Sequence, residues 1–141
     1  MRRAVGVTGQ IMLGALLLFT GVAHLTFARE EFRAQVPSWV PVDENLVVVG
    51  SGVVELCLAV ALLGTWRQPA RGVVGAVTAA FFVAVLPGNI AQFTEHRDGF
   101  GLDTDAARAI RLLFQPLLVL WALAATSAVP ALRTLRRRRR A

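Results

Sequence analysis

The chain has no Lys, no Tyr and a single Cys. One thiol, Cys57, excludes an intrachain disulfide, a CxxC redox pair and a cysteine-built zinc site. Lying within an apolar run, Cys57 reads as a small packing residue. All fifteen basic residues are Arg. The missing Lys, beside abundant Ala, Val and Gly, fits a coding bias and carries no mechanism. Charge is also scarce: charged residues make up 17% of the 141 positions against 55% hydrophobic ones. With a mean hydropathy of +0.58, the chain is too apolar for an ordinary soluble domain of its length.

Long apolar runs occupy the space that charge leaves. Four stand out, at 4–27, 45–64, 71–93 and 107–129. At 1.5 Å per residue each can cross a hydrocarbon core of about 30 Å. No period-2 pattern recurs, which argues against a β-barrel. The expected fold is therefore all-α: a single polytopic membrane domain built as a four-transmembrane-helix bundle. Met1-Arg2-Arg3 before an apolar run resembles a secretory signal, and Gly21-Val22-Ala23 could mimic a cleavage site. The run exceeds a signal's usual core and three more spans follow, so it reads as an uncleaved first helix.

The few charges are sorted by side. Ten arginines, Arg2, Arg3, Arg67, Arg71, Arg133 and Arg136 to Arg140, flank one set of span ends with no acid among them. Eight of the nine acidic residues lie in the two longer loops at the other ends. The positive-inside rule puts both termini in the cytoplasm. A pI near 11.6 raises the thought of nucleic acid, but the basic tail 133–141 is an ordinary cytoplasmic flank drawn to anionic lipid. No aromatic interleaving or recognition motif accompanies it, so no nucleic-acid partner is expected.

The loop 29–44 reads REEFRAQVPSWVPVDE. Pro37 and Pro41 stop a continuous helix. The segment is either interfacial, anchored by Trp39, or a plain connection. In the second loop, the acid spacing does not match an EF-hand, and Asp103 or Thr104 is placed to cap the fourth span.

Glu55 is the ninth acid, and it stands in the middle of the second span. Counting from the loop end, it lies about 15 Å deep, with Gln115 at about 12 Å, Asn89 and Arg111 at about 6 Å and His24 at about 5 Å. Gln92 sits close to the loop end. The opposite half of the bundle reads as nearly pure Leu, Val, Ala and Phe. Such an asymmetry predicts a polar vestibule open outward. Gly14, Gly50 and Gly52 permit close helix contact beside it, and Pro87 and Pro116 predict kinks. A charge at the span centre costs about 2.5–3.5 kcal/mol, so Glu55 should be paired, protonated or beside water. Arg111 is the natural counter-ion, with Gln115 and Ser51 as nearer hydrogen-bond candidates. Glu55 could simply pin helices together, or it could serve a proton, quinone or ligand site. A His24–Glu55 pair lacks a third metal ligand, so no metal is expected.

These residues fall into ordered blocks that resemble the DoxX family of small four-helix membrane proteins. The blocks are Gly21-Val22-Ala23-His24, Val36-Pro37-Ser38-Trp39-Val40-Pro41, Gly52-Val53-Val54-Glu55, Val85-Leu86-Pro87-Gly88-Asn89-Ile90 and Arg111-Leu112-Leu113-Phe114-Gln115-Pro116. The family more often has Ala at Gly88 and Tyr at Trp39, departures that leave the fold intact. The resemblance implies a bacterial inner-membrane protein whose relatives are linked to thiosulfate:quinone oxidoreduction, membrane redox complexes and, distantly, assembly or chaperone roles. It leads to an expected accessory subunit with a polar pocket of His24, Glu55, Asn89, Arg111 and Gln115, acting in redox or envelope homeostasis. The rival reading is a quinone-reducing subunit in which Glu55 or His24 takes up the proton, and a third is an assembly or chaperone factor. Quinone is the one cofactor to consider. Membrane lipids, redox proteins and a second copy of the chain are the candidate partners.

Overall fold

The computed structural model describes residues 2–138 and 140, with side chains described from Ala4 onward. Its elements are α1 (Arg2–Leu25), α2 (Arg29–Arg33), α3 (Glu44–Gly64), α4 (Ala70–Ala84), α5 (Leu86–Thr94), α6 (Asp105–Thr126) and α7 (Ala128–Arg138). Among the described residues there is no strand. Four helical segments are long and apolar enough to cross a membrane: α1 from Ala4, α3, α4 with α5, and α6. Their apolar windows are only 22–33% buried. Val53, Val60, Val77, Leu113 and Leu120 all point outward. A water-soluble protein could not leave that much apolar surface uncovered. The fold is a multi-pass, membrane-type helical bundle, as the apolar runs predict.

Local chemistry sets the helix limits. Asp43 caps α3 by accepting from the Leu46 N–H at 3.1 Å. Of the two residues expected to cap the fourth span, Thr104 does so, accepting from the Ala107 N–H at 3.2 Å. The third span is not one helix. It breaks at Val85, because Pro87 lacks the N–H that would continue the ladder. Pro116, in contrast, lies inside a continuous α6. The fourth span ends at Thr126, three residues earlier than the apolar run, where Ser127 takes a left-handed φ of 55°. The chain then turns into α7, so most of the basic tail is helical. Arg139 and Ala141 of that tail lie outside the described residues.

Helix α1 packs along α3, α4 along α6, and α1 also meets α6. Leu13, Leu17, Leu58, Ala59, Leu62, Ala79, Phe82 and Ala122 form the shared core. Gly21 and Gly52 face each other across α1 and α3: a Cβ on either would approach the other's carbonyl oxygen, at 3.1–3.2 Å. Gly50, expected at a helix contact, has nothing within 4 Å of the place a Cβ would occupy. Cys57 is exposed on the outer face of α3 and does not pack in the interior as expected.

Candidate functional site

The bundle is not filled at its loop end. A cavity of about 560 Å³ lies there, bounded by α1, the α2 loop, α3, the α4–α5 break and α6. His24, Glu55, Asn89, Arg111 and Gln115 all line it. The remaining wall is mainly aliphatic and aromatic, including Leu17, Val48, Phe82 and Leu118. Among the described residues, α3 approaches α1, α2 and α4 but neither α5 nor α6. No helix seam therefore closes the flank between α3 and α5.

His24 and Glu55 meet inside this cavity. His24 is 7% exposed and Glu55 9%. The His24 Nδ1 lies 2.9 Å from the Thr20 carbonyl oxygen. A carbonyl only accepts, so Nδ1 carries a proton and donates to it. Glu55 Oε2 lies 3.2 Å from the same Nδ1 yet receives no hydrogen bond. The contact is thus electrostatic, and one carboxylate oxygen stays without a donor. The imidazole is pinned from its other side by Phe32, stacked at 3.3 Å between centroids and 16° from parallel. The Gly21–Gly52 crossing allows this meeting, since a Cβ on Gly52 would come within 2.7 Å of His24 Cβ.

The expected Glu55–Arg111 pair is absent: among the described residues Arg111 joins no ion pair. Arg111 and Glu55 line the same cavity without closing to ion-pair distance, and His24 reaches Glu55 from a neighbouring helix instead. Ser51 and Gln115 do not serve Glu55 either. The Ser51 hydroxyl donates to the carbonyls of Val47 and Val48. Gln115 donates from Nε2 to the Phe82 carbonyl at 2.8 Å, satisfying an acceptor in the last turn of α4, where the helix is about to break. Asn89, 4% exposed, leaves its Oδ1 without a partner.

A lid covers the cavity. Phe32 and Val36 are buried under the α2 loop, whose Val36, Pro37, Trp39 and Val40 line the space from above. Trp39 itself is 69% exposed. Arg97 holds the lid by donating to the Val36 carbonyl at 2.7 Å and pairing with Glu95 at 3.0 Å. Glu95 in turn accepts from the Ser38 hydroxyl at 3.0 Å. Behind them Arg108 is buried and pairs with Asp98 and with Asp105. The loop 29–44 is therefore more than a plain connection.

Comparison with known proteins places the chain by family. Residues 13–126 match the family described as Domain of unknown function (DUF8561). The chain belongs to the DUF8561 family. Neither the curated proteins nor the solved structures gave a match. The DUF8561 region takes in every residue lining the cavity, from Leu16 to Leu118, together with the lid. It stops short of α7.

Two parts of this DUF8561 protein escape a reading by depth. Phe32, Arg97 and Arg108 sit in loops or at a span margin, where an aromatic or an Arg looks like a surface anchor. The second is a polar cluster in the half expected to be nearly pure Leu, Val, Ala and Phe. There Gln10 donates to the carbonyls of Leu62 at 2.6 Å and Thr65 at 2.9 Å. Arg71, counted in sequence as a flanking charge, is buried and donates to Gln10. The polar groups are thus at both ends of the bundle, not one.

Proposed function

We propose that this protein is a DoxX-type accessory subunit of the bacterial inner membrane that binds a lipophilic ligand in its loop-end cavity, in service of membrane redox or envelope homeostasis. The reading rests on one observation: Glu55 Oε2 and Asn89 Oδ1 are buried acceptors without donors in a mainly apolar cavity. An unsatisfied buried acceptor costs about 1–3 kcal/mol, which a ligand carrying O–H or N–H donors would offset. The ordered DoxX-like blocks add support, since their polar residues are those around the cavity. The cavity volume suits the ring of a hydroxylated lipophile. Arg67, Arg71 and the tail arginines favour an orientation with the lid outward and both termini in the cytoplasm.

The same orphaned acceptors favour one form of the quinone reading. A quinol offers two O–H donors, whereas a quinone offers only carbonyl acceptors, so the reduced form is the better complement to Glu55 and Asn89. In that reading the chain holds the quinol head and a partner protein exchanges its electrons, because this sequence supplies no thiol pair or cofactor motif.

The test is mass spectrometry of protein gently extracted from its own membrane. A hydroxyl-bearing lipophile at near one-to-one ratio is expected, with retention reduced about tenfold in Glu55→Gln or Asn89→Leu, as for a lost hydrogen bond to a buried charged or polar partner. Native-lipid preparations free of any such molecule, or equal retention by both variants, would overturn the proposal.

A further inference from the structure

The end of the bundle opposite the cavity holds a second hollow, of about 970 Å³, between the α3–α4 turn and α7. Arg67, Gln68, Arg71 and Arg138 line it, with Trp66 alongside. Arg71 decides its character. It is 7% exposed, and its Nε donates to Gln10 Oε1 while Nη2 donates to the Ala125 carbonyl at 2.6 Å. Both acceptors are neutral. Arg67, Arg71 and Arg138 join no ion pair among the described residues. No Asp or Glu occurs anywhere in 2–13, 60–78 or 119–140, the segments that build this end. A guanidinium taken out of water without an opposite charge is only partly compensated by carbonyl oxygens.

Position supplies the class of anion. The hollow is level with the start of α1, the end of α3 at Gly64, the start of α4 at Ala70 and the end of α6 at Thr126. That is the depth at which a bilayer places its headgroups. Trp66 is an exposed amphipathic ring at the same level, and Pro130, Ala131 and Leu135 give the hollow an apolar side. The shape is fixed rather than incidental. Gln68 donates to the Thr126 carbonyl at 2.7 Å and accepts from the Gly72 N–H at 3.1 Å. Gly72 lets Ala131 of α7 lie directly on α4, where a Cβ would collide.

We propose that this hollow binds the phosphodiester headgroup of an anionic phospholipid, with Arg71 as its buried floor and Arg67 and Arg138 at its rim. Guanidinium forks match phosphate oxygens in pairs, and the apolar side accommodates the start of the glycerol and acyl region. This site is independent of the loop-end cavity and of what that cavity holds. It also differs from the diffuse attraction of a basic tail, because position in the hollow matters and arginine count does not.

The experiment uses the full chain in nanodiscs of phosphatidylcholine with a minor fraction of phosphatidylglycerol, counting retained lipid by native mass spectrometry. Arg71→Gln would also disturb Gln10 and Ala125, so the informative variant is Arg67→Gln with Arg138→Gln. Neither side chain makes a hydrogen bond within the described residues. Arg136→Gln with Arg137→Gln removes the same charge outside the hollow. The rim pair should lower phosphatidylglycerol retention at least about tenfold, as for charge-assisted hydrogen bonds lost to a phosphate, and the control pair, whose diffuse attraction is screened by salt, by less than about twofold. Equal losses from both pairs, or none from the rim pair, would overturn the site. Inorganic phosphate separates the sources: phosphatidylglycerol should raise the Tm of the wild type while millimolar phosphate does not. Stabilisation by phosphate alone, equal to that by the lipid, would overturn the lipid assignment.

Discussion

A Cβ added to Gly52 would stand 2.7 Å from His24 Cβ and 3.2 Å from the Gly21 carbonyl oxygen, whereas one added to Gly50 meets nothing within 4 Å. Gly52→Ala should therefore separate α1 from α3 and destabilise the protein by about 1–3 kcal/mol. Gly50→Ala should be neutral or stabilise by up to about 1 kcal/mol, as expected for removing Gly from a helix. Thermal unfolding in detergent separates the two, and matching shifts would refute the close-contact role of Gly52. The pair also marks how far a sequence can be read at this scale. His24, Glu55, Asn89, Arg111 and Gln115 were legible because each interrupts an apolar run, and rise per residue gives their depth. Depth carries no information on which helix face meets which. Hence Gly50 and Gly52 look alike in sequence, and Arg111 looks like the partner that His24 is.

At the scale of elements, the lid meets α5 at one tight point. A Cβ on Gly88 would run into the carbonyl oxygen of Gln35, a backbone atom that cannot swing aside. Gly88→Ala should lift the 34–43 segment, and amide exchange there should accelerate while exchange in α1 and α3 is unchanged. Unaltered protection of that segment would show that the lid is not seated on α5. The lid was half legible. Pro37 and Pro41 announced a break in helix, but the burial of Phe32 depends on a histidine eight residues earlier on another helix. Similarly, Gln10 and Arg71 form a cluster only because α1 and α4 converge where a flanking Arg would ordinarily face water.

For the whole molecule, four spans bring the start of α1 and the end of α6 to the same end, as the approach of Gly6 to the Ala125 carbonyl shows. The proposed orientation then predicts that in intact cells a membrane-impermeant maleimide labels Asp103→Cys but reaches Thr134→Cys only after permeabilisation. Both positions are exposed, and Cys57 faces outward from the apolar span α3, where such a reagent does not go. The reverse pattern would invert the assignment. The absence of a helix seam between α3 and α5 has a further consequence for any occupant of the cavity. A guest that enters from the side is drawn from the hydrocarbon phase, so occupancy follows its mole fraction among the lipids. Extra lipid added to proteoliposomes at a fixed amount of guest empties the site, and extra buffer leaves it full.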